Sequence, residues 1–156
     1  MKTLPFMAIV FLMIISCNKD AKELTENEIK NDKELIIKYG TVQGWCARDD
    51  SLTISENDLY YVAFTVCDKN LTTTSHKPIS TDEKKELIGA LDLEVFNKIE
   101  LNSCNVCVDG SDYWISVENR SYYHKIRYGY ADSLALIKIS GFIKLLDKQK
   151  AKFDDK

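Results

Sequence analysis

The chain is poor in the residues that build most small-molecule chemistry. Its 156 residues include two prolines, six glycines and two histidines. No Gly-rich phosphate loop, nucleophile elbow or His-Glu-x-x-His zinc motif occurs. His76 falls in a polar stretch and His124 in the middle of a strand-like run, so neither supplies the missing half of a zinc site. Cations do not outnumber acids: 21 Lys and Arg face 24 Asp and Glu, a formal charge of −3. A nucleic-acid partner would want a basic patch, and none is present. Nothing repeats, and there is no low-complexity tract. The longest apolar run, Leu4–Ile15, is too short to span a membrane, which takes about 20 residues.

That run does have the form of a signal peptide. Lys2 supplies the positive start, Leu4–Ile15 the apolar stretch, and Ser16 the small residue ahead of Cys17. Charge begins abruptly at Asn18-Lys19-Asp20. Ile14-Ile15-Ser16-Cys17 resembles the lipobox of bacterial lipoproteins. The resemblance implies cleavage before Cys17 and diacylglycerol on its sulfur, with a palmitate-type acyl chain. Each buried CH₂ contributes about 0.8 kcal/mol, and more than one chain gives stable anchoring. Cys17 is thus expected to be a membrane anchor, not a catalyst. Asn18 resembles an outer-membrane sorting context, and Lys19–Glu23 is similar to surface-export signals of Bacteroidota lipoproteins. The expected location is the cell envelope, as an outer-membrane lipoprotein facing the periplasm or the surface. Removing residues 1–16 takes one lysine and no acid, leaving 20 cations against 24 acids, formally −4.

Residues 17–34 read as the lipidated cysteine and a flexible tether, in which Thr25-x-x-Glu28 can cap a helical turn. A single domain is expected over 35–147 and a fraying charged tail over 148–156. About 120 residues suffice for one core. Residues 35–46 read as a first strand, 48–51 as a turn, 52–55 as a short strand, and 59–67 as the strongest strand, placed centrally. Residues 68–79 read as a polar loop. Ser80-Thr81-Asp82-Glu83 is a capping box opening a helix through Leu87, Leu91 and Phe96, with Gly89 and Asp92 as candidate breaks. Asp112–Glu118 and Tyr122–Tyr130 form a hairpin around Asn119-Arg120-Ser121. A last helix follows from Asp132 or Ser133 through Phe142 and Leu146, where Gly141 would cost about 1 kcal/mol against Ala.

The sum is an α+β fold: a mainly antiparallel sheet of about five strands, with helices on one face. Its element order is a three-strand meander, a helix, a hairpin and a helix. This succession over residues 39–146, with its Cys-Asp-Gly turn ahead of a hairpin, resembles small Bacteroidota lipoprotein domains of unknown function. The resemblance implies no chemistry.

Apart from Cys17, four cysteines remain in a chain addressed to an oxidising compartment: Cys46, Cys67, Cys104 and Cys107. Four cysteines allow three pairings. Cys104 and Cys107 sit in a turn whose ends lie within bridging reach. Cys46 and Cys67 end strands on one edge of the meander and pair if both overhang the strand between them. The crossed pairings stay open. A thioredoxin-type C-x-x-C would open a helix whose dipole lowers a thiol pKa. Here Val108-Asp109-Gly110 and a strand follow, so a structural staple is the favoured reading. Asp109 and Asp112 are turn formers, too few to provide the six to eight oxygens of a Ca²⁺ site.

On the hairpin's second strand, Tyr122, His124, Ile126, Tyr128 and Tyr130 share one face, and Tyr123, Lys125 and Arg127 the other. Tyr113, Ile115 and Val117 should join the core, leaving Trp114, Ser116 and Glu118 outside. His124 reads as a half-exposed sheet residue, since a general base there would want an acid partner. Trp114, Tyr123, Lys125 and Arg127 form a candidate binding patch on the wet face. The expected function is a lipid-anchored, non-enzymatic binding or accessory module, with no cofactor or metal. Its partners are the membrane, through Cys17, and another envelope protein, with no nucleic acid. The alternative is thiol–disulfide exchange at Cys104 and Cys107.

Overall fold

The computed structural model describes residues 25–45, 47–65 and 67–154. Cys17, Cys46 and the apolar N-terminal segment lie outside the described residues. The described chain is an α+β domain with one open antiparallel sheet of six strands in the order β4-β3-β2-β1-β5-β6. The strands are β1 (Ile36–Gln43), β2 (Arg48–Ile54), β3 (Asp58–Thr65), β4 (Asp68–Pro78), β5 (Ser111–Glu118) and β6 (Tyr123–Tyr128). The helices are α1 (Glu26–Lys30), α2 (Thr81–Ala90), α3 (Leu93–Asn97) and α4 (Ser140–Ala151).

Alternation along the strands sets the layers. Ile37 and Tyr39 of β1 stand opposite Ile54 and Leu52 of β2, and opposite Val117 and Ile115 of β5. Leu59, Tyr61 and Ala63 of β3 and Ile126 and Tyr128 of β6 continue the same face. Leu87, Leu91, Phe96, Phe142 and Leu146 cover it from the helical layer and are fully buried. The period-2 and helical-period apolar sets therefore meet as one core. Among the described residues no α-helix covers the opposite sheet face.

The sixth strand is the segment read as a polar loop. Asp68–Pro78 pairs antiparallel with β3, from Thr65↔Asp68 to Asp58↔Pro78. An edge strand needs no buried face, so its Thr-rich, polar sequence lacks the alternation that marks a half-buried strand. It also moves β3 to second from the edge and leaves β1 and β2 in the middle. The face of β3 carrying Tyr60, Val62 and Phe64 is only partly covered.

Arg48–Ser51, read as a turn, belongs to β2. Acids are unfavourable in strands, but here they are bonded. Asp49 Oδ1 accepts the Gln43 amide at 2.7 Å, and Asp50 Oδ1 accepts the Thr41 amide at 3.0 Å. Lys150 Nζ lies 2.6 Å from Asp50 Oδ1.

Both capping boxes form. Ser80 Oγ accepts the Glu83 amide while Glu83 returns to the Ser80 amide, and Thr25 and Glu28 do the same at α1. The helix after Ser80 breaks at Leu91–Asp92, where Asp92 caps α3 by accepting the Val95 amide. Gly89 stays inside α2. The stretch expected to open the last helix forms two 3-10 turns, Tyr130–Leu134 and Ile137–Ile139, before α4 begins. Gly141 is therefore in the first turn of α4, not its interior.

Order extends past both expected ends of the domain. Ile29 of α1 is buried in the core, within the stretch read as tether. In the stretch read as a fraying tail, the Phe153 ring stacks on Tyr61 at 5.1 Å and Lys152 Nζ bonds Glu83 at 2.6 Å. Tyr130, expected on the core face of the hairpin, lies beyond β6 in a 3-10 turn and is 95% exposed.

Candidate functional site

The uncovered face of the β5–β6 hairpin carries the four patch residues. The register pairs Trp114 with Arg127, Ser116 with Lys125 and Glu118 with Tyr123, so all four face outward. Their roles differ. The Trp114 indole is half-buried because it lies across Gly40 of β1, its register partner. A Cβ at Gly40 would come within 2.8 Å of the indole and 2.4 Å of the Asp50 carbonyl oxygen. Lys125 Nζ sits 4.7 Å above the same ring, in cation–π contact. Lys38 closes the neighbouring edge by an ion pair to Glu118 at 2.5 Å.

Arg127 is committed elsewhere. Its Nη2 and Nε donate to Asp112 Oδ2 at 2.8 and 3.1 Å. Tyr123 is 64% exposed but lies at the hairpin end, two register pairs beyond Lys125 and four beyond Trp114. The expected aromatic pair is therefore a stripe, Tyr123–Lys125–Trp114, with the Arg127 guanidinium, partly exposed, held in its ion pair to Asp112.

Asp112 is the hub under the cysteine turn. Its side chain is fully buried and also accepts the Asn105 amide at 3.1 Å, Asn105 Nδ2 at 2.8 Å and the Val106 amide at 3.3 Å. Burial pushes its pKa up, but the donors from Asn105, Val106 and Arg127 outweigh burial and hold it below the ordinary carboxylate value. Above it, Asn105–Val108 forms a 3-10 turn closed by Asp109 in a left-handed conformation, φ 66°.

Cys104 and Cys107 are joined by a disulfide, with Cα atoms 5.3 Å apart. That bond excludes the crossed pairings. Cys67 is also disulfide-bonded. Both sulfur-bearing residues of the turn are exposed, as is Val108 beside them. The Gly44 amide donates to the Gly110 carbonyl and holds the two loops together. The turn is a poor thiolate site. The amides of Asn105 and Val106 are occupied by Asp112, whose own charge disfavours a second anion.

His124 is partly buried in the sheet. Its Nε2 lies 3.2 Å from the Ile99 carbonyl, to which it donates in the Nε2–H tautomer, and its ring meets Phe96 edge-on at 5.0 Å. His76 pairs with Asp58 at the β4 edge, 3.1 Å away. Among the described residues no three His, Cys, Asp or Glu side chains converge to hold a metal ion. Among the same residues no helix is long and apolar enough to cross a membrane.

A second concave site was not singled out from the sequence. At the end of β6, a cleft of about 430 Å³ opens between Tyr39, Tyr113, Tyr128 and Tyr130 and the first turns of α4. Tyr113 and Tyr128 are directly opposed in the hairpin and stack at 5.7 Å. Tyr39 Oη donates to Asp147 Oδ1 at 2.6 Å. The Tyr128 side chain is buried, 6% exposed, and its hydroxyl has no hydrogen-bond partner among the described residues. The Tyr39 and Tyr128 hydroxyls are close enough to affect each other's ionisation. Burial raises the pKa of both phenols, and Tyr39 also feels Tyr128 and Asp147, so both stay neutral. The signal for the cleft lies in two spacings: the opposed tyrosines of the hairpin, and Ser140, Ile143, Lys144 and Asp147 at i, i+3, i+4 and i+7 on one stripe of α4.

Compared with models of known protein families and with curated proteins, the sequence matches none.

Proposed function

We propose that this protein is a lipid-anchored, non-enzymatic binding or accessory module of the bacterial cell envelope. In this reading it is held through Cys17 and recognises another envelope protein with the outer face of its β5–β6 hairpin. The observation that carries the reading is the Tyr123–Lys125–Trp114 stripe on a sheet face that no α-helix of the described residues covers. Lys125 and Tyr123 are exposed, and Trp114 is fixed between Gly40 and Lys125 as a rigid amphipathic surface. Rigid aromatics beside a cation are what recognition hot spots use. The lipobox-like segment supports the anchor. Seven residues separate Cys17 from Thr25, so even fully extended they hold the domain within about 30 Å of the lipid. Its partners would then be membrane-proximal.

The test is a photo-crosslinking residue placed at position 123 in cells. The expected result is a discrete adduct with an envelope protein, lost on Lys125→Glu although the variant melts like the parent. Adducts identical to those from a control position on α4, or insensitive to Lys125→Glu, would count against the patch.

The second reading, thiol–disulfide exchange, rests on the exposure of Cys104 and Cys107. Under mild reductant an exchange centre would cycle to two free thiols while the domain stays folded. A structural staple would resist.

A further inference from the structure

The four most exposed large apolar side chains of the described residues stand at one end of the sheet. Trp45 follows β1, Val108 precedes β5, and Tyr130 and Leu134 follow β6; each is between 78% and 95% exposed. The register sets these strand ends side by side, Gln43 opposite Ser111 and Tyr113 opposite Tyr128. Close contacts lock the loops together. A Cβ at Gly44 would stand 3.2 Å from the Asp109 Cα, so Trp45 and Val108, each next in sequence to that contact, sit on touching loops. A Cβ at Gly129 would strike the Asn105 side chain, which seats the start of the Tyr130 turn on the cysteine loop. Asp132 of that turn accepts the Gly129 amide at 2.8 Å and the Ser103 hydroxyl. The Cys104–Cys107 bridge closes the middle loop. A single exposed apolar residue is ordinary. Four on loops braced in this way form an apolar tip, and such patches mark partner or membrane contacts.

We propose that this tip enters the interface of the bilayer to which Cys17 is anchored, so that the domain touches the membrane twice. The choice of a bilayer rests on the lipid-anchored reading. The segment between Cys17 and Thr25 reaches about 30 Å when extended. The eight residues of β1 span about 26 Å from the α1 end of the sheet to the tip. Tip and acyl chains can therefore meet one leaflet. The side chains come from three separate loops, which suits a fluid apolar phase better than a shaped partner. Trp and Tyr are the residues favoured at the membrane interface. Arg48 and Asp109 are the exposed charged residues of stretches 44–48, 104–110 and 129–134, and their formal charges cancel. The attraction is thus apolar and needs no anionic lipid, and Asp109 beside Val108 keeps the insertion shallow.

The chain has two tryptophans, Trp45 in the tip and Trp114 on the open sheet face, so each can report its own surroundings. The full chain, recovered from membranes with whatever lipid it carries, is reconstituted into phosphatidylcholine vesicles with and without lipid brominated near the top of its acyl chains. Trp114→Phe isolates the emission of Trp45, and Trp45→Phe isolates that of Trp114. The expected result is a blue-shifted Trp45 quenched at least about twofold by the brominated lipid, with Trp114 little changed. Tyr130→Ser combined with Leu134→Ser should remove most of the Trp45 quenching and leave the melting temperature near the parent's, because both side chains lie outside the core. Replacing a third of the phosphatidylcholine by phosphatidylglycerol should change nothing. Unquenched Trp45, equal quenching of both tryptophans, or quenching that requires phosphatidylglycerol would each overturn the proposal. So would a Trp45 blue shift that grows with protein concentration in the absence of vesicles, the sign of a second copy covering the tip. The intact mass of the same sample separates the tip from the anchor. Quenched Trp45 in a chain without lipid on Cys17 contradicts the anchor and supports the tip, and unquenched Trp45 in a lipidated chain does the reverse.

Discussion

The Arg127 guanidinium reaches across the hairpin to a fully buried carboxylate, Asp112, 2.8 Å away. The same carboxylate accepts two backbone amides of the disulfide turn. One acid thus ties the β6 strand, the β5 strand and the Cys104–Cys107 loop into a unit. Removing it strands an arginine and two amides. Asp112→Ala should cost about 3–5 kcal/mol, the scale for breaking a buried, hydrogen-bonded pair, and Asp112→Asn less. The pH dependence has a definite sign. The folded pKa lies below the ordinary 3.8, so the unfolded chain binds the proton more readily. The Asp112 contribution is present above 3.8 and is lost as pH falls through the folded value. Urea melts of the parent and Asp112→Asn should therefore differ at neutral pH and converge in acid. A constant difference would contradict this.

Gly40 gives up its side chain to the Trp114 indole. Gly40→Ala would place a methyl against the ring and the Asp50 carbonyl, and carbonyl oxygen cannot swing away as a side chain can. The expected cost is about 1–3 kcal/mol, the range for overpacking. Trp114 should also become more accessible to a fluorescence quencher in a Trp45→Phe background.

The two hairpin faces predict opposite mutant phenotypes. Tyr128→Ala should destabilise by about 3–5 kcal/mol, as large core truncations do. Trp114→Ala should cost less, because part of the indole stays in water, but should weaken partner binding more. Paired melting curves check the order. If Trp114→Ala melts lower, the wet face carries more of the stability than this account allows.

Much of this layout could be read in the chain, and the failures share one cause. Leu91, Phe96 and Phe142 fall on helical periods, and Ile115 and Val117 on a strand period, so these core positions were legible, whereas Tyr113, expected beside them in the core, is 38% exposed at the end of the hairpin, and Ser116, expected outside, is buried. Ser80 and Glu83, and Thr25 and Glu28, spell their capping boxes directly. β4 was not legible, because an edge strand that buries neither face leaves no alternation in Thr72, Thr73 and Thr74. Asp49 and Asp50 look like turn residues until their partners on β1 and at Lys150 are known. Ile29 and Phe153 each anchor a terminal segment singly, and one apolar residue in a charged stretch has no period. At the patch, the outward face of Lys125 and Trp114 was legible. Arg127's commitment to Asp112 was not, since it depends on where the cysteine turn folds back.

The staple should contribute modestly. Closing a loop this short restrains the unfolded chain by about 2 kcal/mol in the chain-entropy model. A Cys104→Ser, Cys107→Ser double variant should fold, melt at lower denaturant by that amount, and keep the Asp112 hydrogen bonds. Alkylation of the denatured parent should find no free thiol at either position. Two alkylated sites at Cys104 and Cys107 in an exported, folded sample would contradict the staple.

The most direct test of the account is the intact mass of the protein recovered from membranes, for the parent and for Cys17→Ser. The account predicts a parent chain that begins at Cys17 and carries the added mass of diacylglyceryl and acyl groups. It predicts a variant that keeps residues 1–16 unprocessed at that site and lacks the lipid. Identical processing and equal membrane retention of the two proteins would contradict it.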